Sequence, residues 1–349
     1  MPVFDNPSFD GHIMVHAFFD PATGLKGFIA IHSTALGPAF GGCRRWDYPN
    51  EDAALSDALR LSRGMSYKNA LAGIPFGGGK AVIIAGPDAP KSPRLFETFG
   101  NVVESLGGRY ITAEDVGVSV ADMKAVARAT RFVSGIAGDK GRAGGDPSPK
   151  TAMGVFLGIR VAAVRALRRN DLEGLRVAVQ GAGHVGYHVC RFLAEAGARL
   201  RVADIDASNV ERVCDEFGAE KVATDVIIAQ DVDVLSPCAL GGIINARTIP
   251  TIRARIVAGA ANNQLGEIED GDMLHRYGIL FAPDYVINAG GIISVAAEYQ
   301  RTLSDSQVDE LVGRVEDRLL EIFERSEREG SAPARVADHM AQEIIAKAA

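Results

Sequence analysis

Two lysines, Lys68 and Lys80, stand twelve residues apart in the stretch LSRGMSYKNALAGIPFGGGK, with three glycines directly before the second. A helix lysine is ordinarily a solvated cation, but both of these sit among apolar and glycine-rich sequence. Loss of water there disfavours the ammonium form and makes a lysine a usable base. Further on, YITAEDVG puts Asp115 at the end of a strand-like run and offers a carboxylate to the same chemistry, although alone it would read as a cap or turn residue. A second constellation, Gly181-Ala182-Gly183-His184-Val185-Gly186, follows the apolar run RVAVQ and opens a helical segment. In that context the first glycine turns the chain and the second admits backbone N–H groups to a pyrophosphate. The third lets helix and strand pack, and the helix N-terminus faces the anion. Asp204 ends the next strand-like run, 18 residues after Gly186. A carboxylate there accepts from adenosine ribose hydroxyls and repels a 2′-phosphate, which favours NAD over NADP. Asp206 is near enough to share the role, and strand alternation turns Arg201 elsewhere.

Other reactive residue types read as packing. His184 and His188 are four apart on one helix, but no third ligand and no intervening carboxylate accompany them, so no metal is expected. Cys43, Cys190, Cys214 and Cys238 lack CxxC spacing and fit reduced thiols rather than a disulfide or zinc framework. Trp46, beside Arg44 and Arg45, belongs to a core or an interface. The 349 residues carry a net charge of −7, which excludes a basic nucleic-acid footprint as a global property. Apolar runs fall far short of a membrane span, and the start MPVFDNPSFDGH lacks a secretory signal's basic and apolar blocks, so a cytoplasmic protein is expected.

The elements that must position these residues are legible in outline. Residues 12 to 32 form two β-rich runs around the turn Asp20-Pro21-Ala22-Thr23-Gly24, which predicts a hairpin. A helix is predicted from the Asn50 cap to about Ala70, then the glycine run and a strand AVIIAG, a helix at 93–106, a strand at 110–113 and a helix at 120–129. The Gly, Asp, Pro and Ser-rich passage from Arg131 to Pro149 reads as a hinge. After it come a long helix to about Arg169 and strands alternating with helices, the pattern of a parallel doubly wound sheet. The last stretch, 304–325 and 332–348, is helical. The fold class is therefore α/β with two domains: 1–147, completed by a terminal helix at about 327–349, and a Rossmann domain at 148–326.

Taken together these motifs resemble the glutamate/leucine/phenylalanine/valine dehydrogenases, most closely the leucine and valine members. The resemblance runs through TGLKGFIAIHSTALGP, GMSYKNALAG, GGGKAVI, GGRYITAEDVG, GDPSPKTA, SPCALGG, AGAANNQL and GILFAPDYVINAGGI. It implies an N-terminal substrate-binding domain and an NAD-binding Rossmann domain with a cleft between them, in a homo-oligomer, dimer or octamer. By the same resemblance Lys68 holds the substrate α-carboxylate, Lys80 is the general base, and Asp115 contacts the substrate amine. Gly41 and Gly42 line the pocket, Asn288 helps bind the carboxylate, and Asn262 and Asn263 approach nicotinamide and substrate. Cys238 and Ala239 are expected beside the cofactor with Gly181, Gly183, His184, Val185, Gly186 and Asp204, with Cys238 packing rather than doing redox chemistry.

The side-chain pocket implied by the resemblance consists of Phe40, Ala113, Ile292 and Val295, and it has no cation for an acidic substrate. Phe40 and Ile292 are bulkier than the leucine-type pattern leads one to expect. This either shrinks the pocket around a branched aliphatic chain or, with Phe40 swung out, presents an aromatic wall to phenylalanine; one methylene is worth only ~1 to 3 kcal/mol in such a pocket. The expected reaction is reversible oxidative deamination of leucine or valine to the 2-oxo acid and ammonia. Two other readings compete. A hydroxy-acid dehydrogenase would need an Arg and His pair in place of the lysines, and a dinucleotide-binding protein without turnover would have no need of a base.

Overall fold

The structure, a computed structural model, describes residues 2–86, 90–136 and 145–349. Of the expected hinge, residues 137–144 lie outside the described residues. The chain divides into two compact units, one of Met1–Gly145, Ser294–Val308 and Ala341–Ala349, the other of Asp146–Ile293 and Asp309–Met340.

The first unit opens with an antiparallel hairpin, β1 (Met14–Asp20) and β2 (Leu25–Ser33). Its turn is held by the Asp20 carboxylate, which accepts from Thr23 N at 2.8 Å and Thr23 Oγ1 at 2.6 Å. Then follow β3 (Ala39–Trp46), α1 (Glu51–Leu71), β4 (Gly77–Ile84), α2 (Pro93–Ser105), β5 (Tyr110–Glu114) and α3 (Val120–Val126). Asn50 caps α1 by accepting from Ala53 N, as its residue type favours. The sheet order is β1-β2-β4-β3-β5, antiparallel through β4 and parallel from β4 to β5. Alternation along β2 and β4 sends Ala30 and Val82 to α1, where Leu55, Ala58 and Leu59 meet them. It sends Ile29, Ile31, Ala81 and Ile83 to the cluster of Phe96, Phe99, Val103, Met123 and Val126. Each large apolar side chain buried there contributes about 1.5 to 3 kcal/mol.

Two expectations need correction. Gly77–Gly79, read as a loop before the strand, are the first residues of β4, and β3 was not foreseen at all. Glycines lower strand propensity, but here the tertiary contacts demand them: a Cβ on Gly78 would run into Ser66 of α1, and one on Gly41 into the Gly79 carbonyl. Two later segments, 294–308 and 341–349, belong with the first unit. Residues 294–308 are held in it because Ser134 Oγ donates to Val295 O at 2.8 Å, and Glu298 Oε1 accepts from Gly135 N and Ile136 N at 3.1 and 3.0 Å. From the last helix only 341–349 returns, where Gln342 Nε2 donates to Tyr67 Oη at 2.8 Å.

The second unit is built on α4 (Ser148–Leu167), β6 (Arg176–Gln180), α5 (His184–Glu195), β7 (Arg199–Ala203), α6 (Ala207–Phe217), β8 (Glu220–Lys221), β9 (Val234–Pro237), β10 (Ile256–Val257), α7 (Ile268–Arg276), β11 (Leu280–Phe281) and α8 (Asp284–Ile287). The chain continues through α9 (Gly290–Gln300), α10 (Asp305–Gly313), α11 (Val315–Glu329) and α12 (Pro333–Ala348). Its sheet, β11-β10-β9-β6-β7-β8, is parallel throughout. Counted from β6 this is the 3-2-1-4-5-6 order of a Rossmann fold, and the order reverses between β6 and β9. No helix among the described residues is long and apolar enough to cross a membrane.

Candidate active site

β4 carries Lys80 two residues before Val82, on the sheet face that α1 covers. The Lys80 side chain is only 7% exposed, and its Nζ lies 2.6 Å from Asp115 Oδ2. Asp115 follows β5 directly, and the loop after it is tied to β3 by Arg45 N donating to Val116 O at 2.9 Å. Gly117, at φ 78°, allows that approach, since a Cβ there would strike the Arg45 carbonyl. Arg44 Nε reaches the same Asp115 oxygen at 3.1 Å, and Arg44 Nη1 reaches Asp57 Oδ2 at 3.0 Å. Asp57 also accepts from Tyr48 Oη at 2.6 Å and from Arg60 Nη2 at 2.8 Å. Burial disfavours the Asp115 charge, but the Lys80 ammonium and the Arg44 guanidinium outweigh it and hold the carboxyl down at about 2. A buried amine on an ionised, clamped carboxylate is equipped to move protons.

Gly41 and Gly42 lie in β3, paired with Thr112 and Ala113 of β5. A Cβ on Gly42 would crowd the Asp115 side chain, and the Tyr110 hydroxyl donates to Gly41 O at 2.7 Å, so β3 is shaped around the pair. Lys68 stands half-buried in the last turn of α1. Next to it Asn69 Nδ2 donates to Gly77 O at 2.6 Å, anchoring α1 to the start of β4. Phe40 is fully buried and packs on Phe76, with ring centroids 5.1 Å apart, and on Tyr299 at 6.1 Å. Ala113 is buried, and Val295 half-buried, in the same unit.

In the second unit the glycine turn joins β6 to α5. Gly181 has φ 96° and abuts Ala239, and a Cβ on Gly186 would strike the Gly181 carbonyl, so both are required by the turn. Gly183 differs: a Cβ there meets nothing within 4 Å, which leaves open space at the N-terminus of α5. His184 and Gly183 are exposed and Val185 half-buried there. That arrangement fits a pyrophosphate. Asp204 accepts from Ala182 N at 2.6 Å and from Asp206 N at 2.8 Å, which fixes its carboxylate beside the turn. Asp206 instead caps α6, accepting from Ser208 N and Oγ, and Arg201 pairs with Glu220 at 3.0 Å.

Cys238 and Ala239 follow β9 at the reversal of strand order, and burial pushes the Cys238 thiol up. Asn262 and Asn263 are exposed, with Asn263 in the left-handed region at φ 53°. Asn288 is buried, and its Nδ2 donates to Ala260 O at 3.0 Å and Asn262 Oδ1 at 2.9 Å. Its Oδ1 has no hydrogen-bond partner among the described residues. As oriented it offers an acceptor, whereas holding a carboxylate would require the amide to turn. Ile292 lies half-buried on α9. No group of three His, Cys, Asp or Glu side chains able to hold a metal occurs among the described residues.

Comparison with known proteins places this architecture. The family description "Glu/Leu/Phe/Val dehydrogenase, dimerisation domain" matches residues 12–132, and "Glutamate/Leucine/Phenylalanine/Valine dehydrogenase" matches 202–348. Leucine dehydrogenase of Bacillus subtilis (strain 168) is 50% identical over 329 residues, covering 93% of this chain and 89% of that protein. The chain belongs to the Glu/Leu/Phe/Val dehydrogenase family. Valine dehydrogenase of Streptomyces virginiae is 44% identical over 97% of this chain and 95% of its own. The crystal structure of L-tryptophan dehydrogenase from Nostoc punctiforme superposes with a TM-score of 0.84 at 43% identity, covering 97% of each chain. This member of the family is thus an amino acid dehydrogenase, an oxidoreductase built on a Rossmann-type nucleotide-binding unit.

Within this dehydrogenase the sequence reading missed Arg44, Asp57 and Tyr48, the hydrogen-bonded array behind Asp115, and Phe76 and Tyr299, which pack on Phe40. Arg44 lay two residues beyond Gly42 and was read only as a neighbour of Trp46, itself 54% exposed. Strand alternation from Gly42 would have aimed Arg44 at the same face. Asp57 gave little signal because Arg44, which links it to Asp115, lies thirteen residues away, and Tyr299 gave none because the rings it packs on are far earlier in the chain.

Proposed function

We propose that the protein catalyses the NAD-dependent, reversible oxidative deamination of branched-chain aliphatic L-amino acids to 2-oxo acids and ammonia. The observation that carries the chemistry is the buried Lys80–Asp115 pair at 2.6 Å, a proton-transfer couple that binding alone would not need. NAD, when bound, supplies the acceptor for the hydride that leaves the substrate Cα, and an iminium remains. Lys80 Nζ then takes a proton from the attacking water and passes protons on as ammonia departs. Asp115 stabilises the substrate amine, and Lys68 fixes the α-carboxylate so that Cα is held in one orientation. Preference for NAD over NADP is supported by Asp204, whose carboxylate is anchored beside the glycine turn and would repel a 2′-phosphate.

For the side chain, Phe40, Ala113 and Val295 of the first unit are apolar, and so is Ile292, which disfavours an acidic substrate. Phe40 is wedged against Phe76 and Tyr299, so the wall stays shallow and suits leucine or valine. The same ring cluster supports a second reading, an aromatic substrate such as phenylalanine, and an L-tryptophan dehydrogenase stands among the relatives. The dimerisation-domain match over 12–132 supports a homo-oligomer, dimer or octamer, which light scattering distinguishes. The deciding measurement is NADH oxidation with saturating ammonium across 4-methyl-2-oxopentanoate, 3-methyl-2-oxobutanoate, phenylpyruvate and 2-oxoglutarate. Turnover on the first two is expected; a phenylpyruvate preference would move the assignment to the aromatic class, and ammonium-independent turnover would indicate a hydroxy-acid enzyme.

A further inference from the structure

We propose that Arg44 is a positioning residue for proton transfer: it keeps the Asp115 carboxylate ionised and aimed at Lys80 during the part of the cycle in which Lys80 carries no proton. The inference rests on the reading of Lys80 as the base.

Two cations converge on one oxygen. Asp115 Oδ2 is 2.6 Å from Lys80 Nζ and 3.1 Å from Arg44 Nε, and the three side chains are 16, 7 and 19% exposed, for Asp115, Lys80 and Arg44 respectively. For Lys80 to act as a base it must first lose its ammonium proton, and at that moment Asp115 loses one of its two countercharges. A carboxylate left alone in such surroundings is strongly disfavoured, so without another cation the proton would stay on the pair. A guanidinium does not deprotonate in proteins. Arg44 is therefore a constant charge beside a residue whose charge must cycle.

The geometry of Arg44 suits this task better than a lysine would. Nε serves Asp115 while Nη1 serves Asp57 at 3.0 Å, so the planar fork spans two carboxylates at once. Asp57 is locked in turn by Tyr48 Oη at 2.6 Å and by Arg60 Nη2 at 2.8 Å. Arg44 lies opposite Val82 in the β3–β4 register, which places it on the same sheet face as Lys80. The other titratable groups near the pair do not duplicate its function. Burial pushes Cys43, Tyr48 and Tyr110 up, so they stay neutral, and Asp122 is engaged by Lys91 at 3.1 Å and by Ser119.

The test is the pH dependence of kcat/KM for oxidative deamination of L-leucine with NAD in wild type, Arg44→Gln and Arg44→Lys. Arg44→Gln is expected to lower kcat roughly 10²-fold, the scale of a misplaced catalytic group, with the Kd for NAD unchanged. Its acidic limb should move to higher pH by about one unit, a tenfold change in proton affinity. Arg44→Lys, which retains charge but not the fork, should return the limb close to its wild-type position while kcat stays below wild type. If Arg44→Gln is insoluble, Arg44→Lys alone decides: a limb displaced as far as one pH unit despite the retained charge overturns the proposal. An unmoved limb in soluble Arg44→Gln overturns it as well. Wild-type protein without turnover of any amino acid would instead overturn the proposed function, and that outcome is distinguishable because it needs no variant.

Discussion

Lys80 shows how one side chain acquires a role from its surroundings. Its position in β4 removes it from water, and the Asp115 carboxylate 2.6 Å away gives its proton a defined partner. Lys80→Ala should cost roughly 10²- to 10⁴-fold in turnover while leaving NAD affinity, measured by fluorescence titration, within about twofold. Near-wild-type turnover in that variant would remove Lys80 from the mechanism. Phe40 is the corresponding residue for specificity. Because Phe76 and Tyr299 hold its ring, shortening it should deepen the wall. Phe40→Leu is expected to raise the kcat/KM ratio of phenylpyruvate to 4-methyl-2-oxopentanoate about tenfold or more, within the ~1 to 3 kcal/mol available to such a contact. A ratio that does not move would mean that the ring is core and not pocket.

Elements differ in what their glycines are for. In the β6–α5 turn, Gly186 is required by the fold and Gly183 is not, since only the latter has room for a methyl group. Gly183→Ala should therefore leave the melting temperature within about 2 °C and weaken NAD binding, whereas Gly186→Ala should destabilise by about 1 to 3 kcal/mol. Calorimetry with and without NAD separates the two, and equal loss of stability in both would refute the assignment of open space at Gly183. The contact between β2 and α1 carries a second consequence. His32 Nδ1 lies 2.8 Å from Ser66 Oγ, and its ring is 4.9 Å from that of His12. Burial, and then the neighbouring His12, bring its pKa from 6.5 down to about 4.

A histidine kept neutral by the fold binds fewer protons folded than unfolded. The stability it contributes is complete above pH 6.5 and is lost as the pH falls through about 4. Asp115, held at about 2, loses its contribution as the pH falls from the ordinary carboxylate range, 3.8, towards about 2, so its window lies below that of His32 and adjoins it. Urea midpoints measured at pH 7.5, 5.5 and 4.5 should fall in that order, and His32→Gln should flatten the slope. A midpoint independent of pH across that window would contradict the buried, neutral state of His32.

At the scale of the whole molecule, the first unit is not a continuous stretch of chain. It draws on 294–308 and 341–349, which supply the Val295 carbonyl, the Glu298 carboxylate and Gln342 to residues far earlier in the sequence. A fragment of residues 1–145 would leave the half-buried Gly135 and Ile136 amides without that carboxylate and would uncover the Phe40 and Phe76 rings on which Tyr299 packs. It is expected not to fold cooperatively, as judged by circular dichroism and thermal melting. A sharp transition in the fragment would show that the later segments are dispensable.

Much of this protein could be read from its residues alone, because the signals were local. The Asn50 cap, the hairpin turn, the strand–glycine turn–helix at 176–195 and the carboxylate at Asp204 depend on neighbours within a few positions, and periodicity reports such neighbours faithfully. Lys80 and Asp115 could be singled out for the same reason, each lying in a long distinctive motif, and the structure brings these two together at 2.6 Å. What required the folded chain was every relation between distant positions. The β3 strand exists because Gly41 and Gly42 let β4 and β5 approach, a demand invisible to strand propensity. The convergence of Lys80 and Arg44 on one Asp115 oxygen, with Asp57 behind them, joins β4, β3, the end of β5 and α1. Burial and charge pairing are properties of space rather than of order along the chain, and packing decided them.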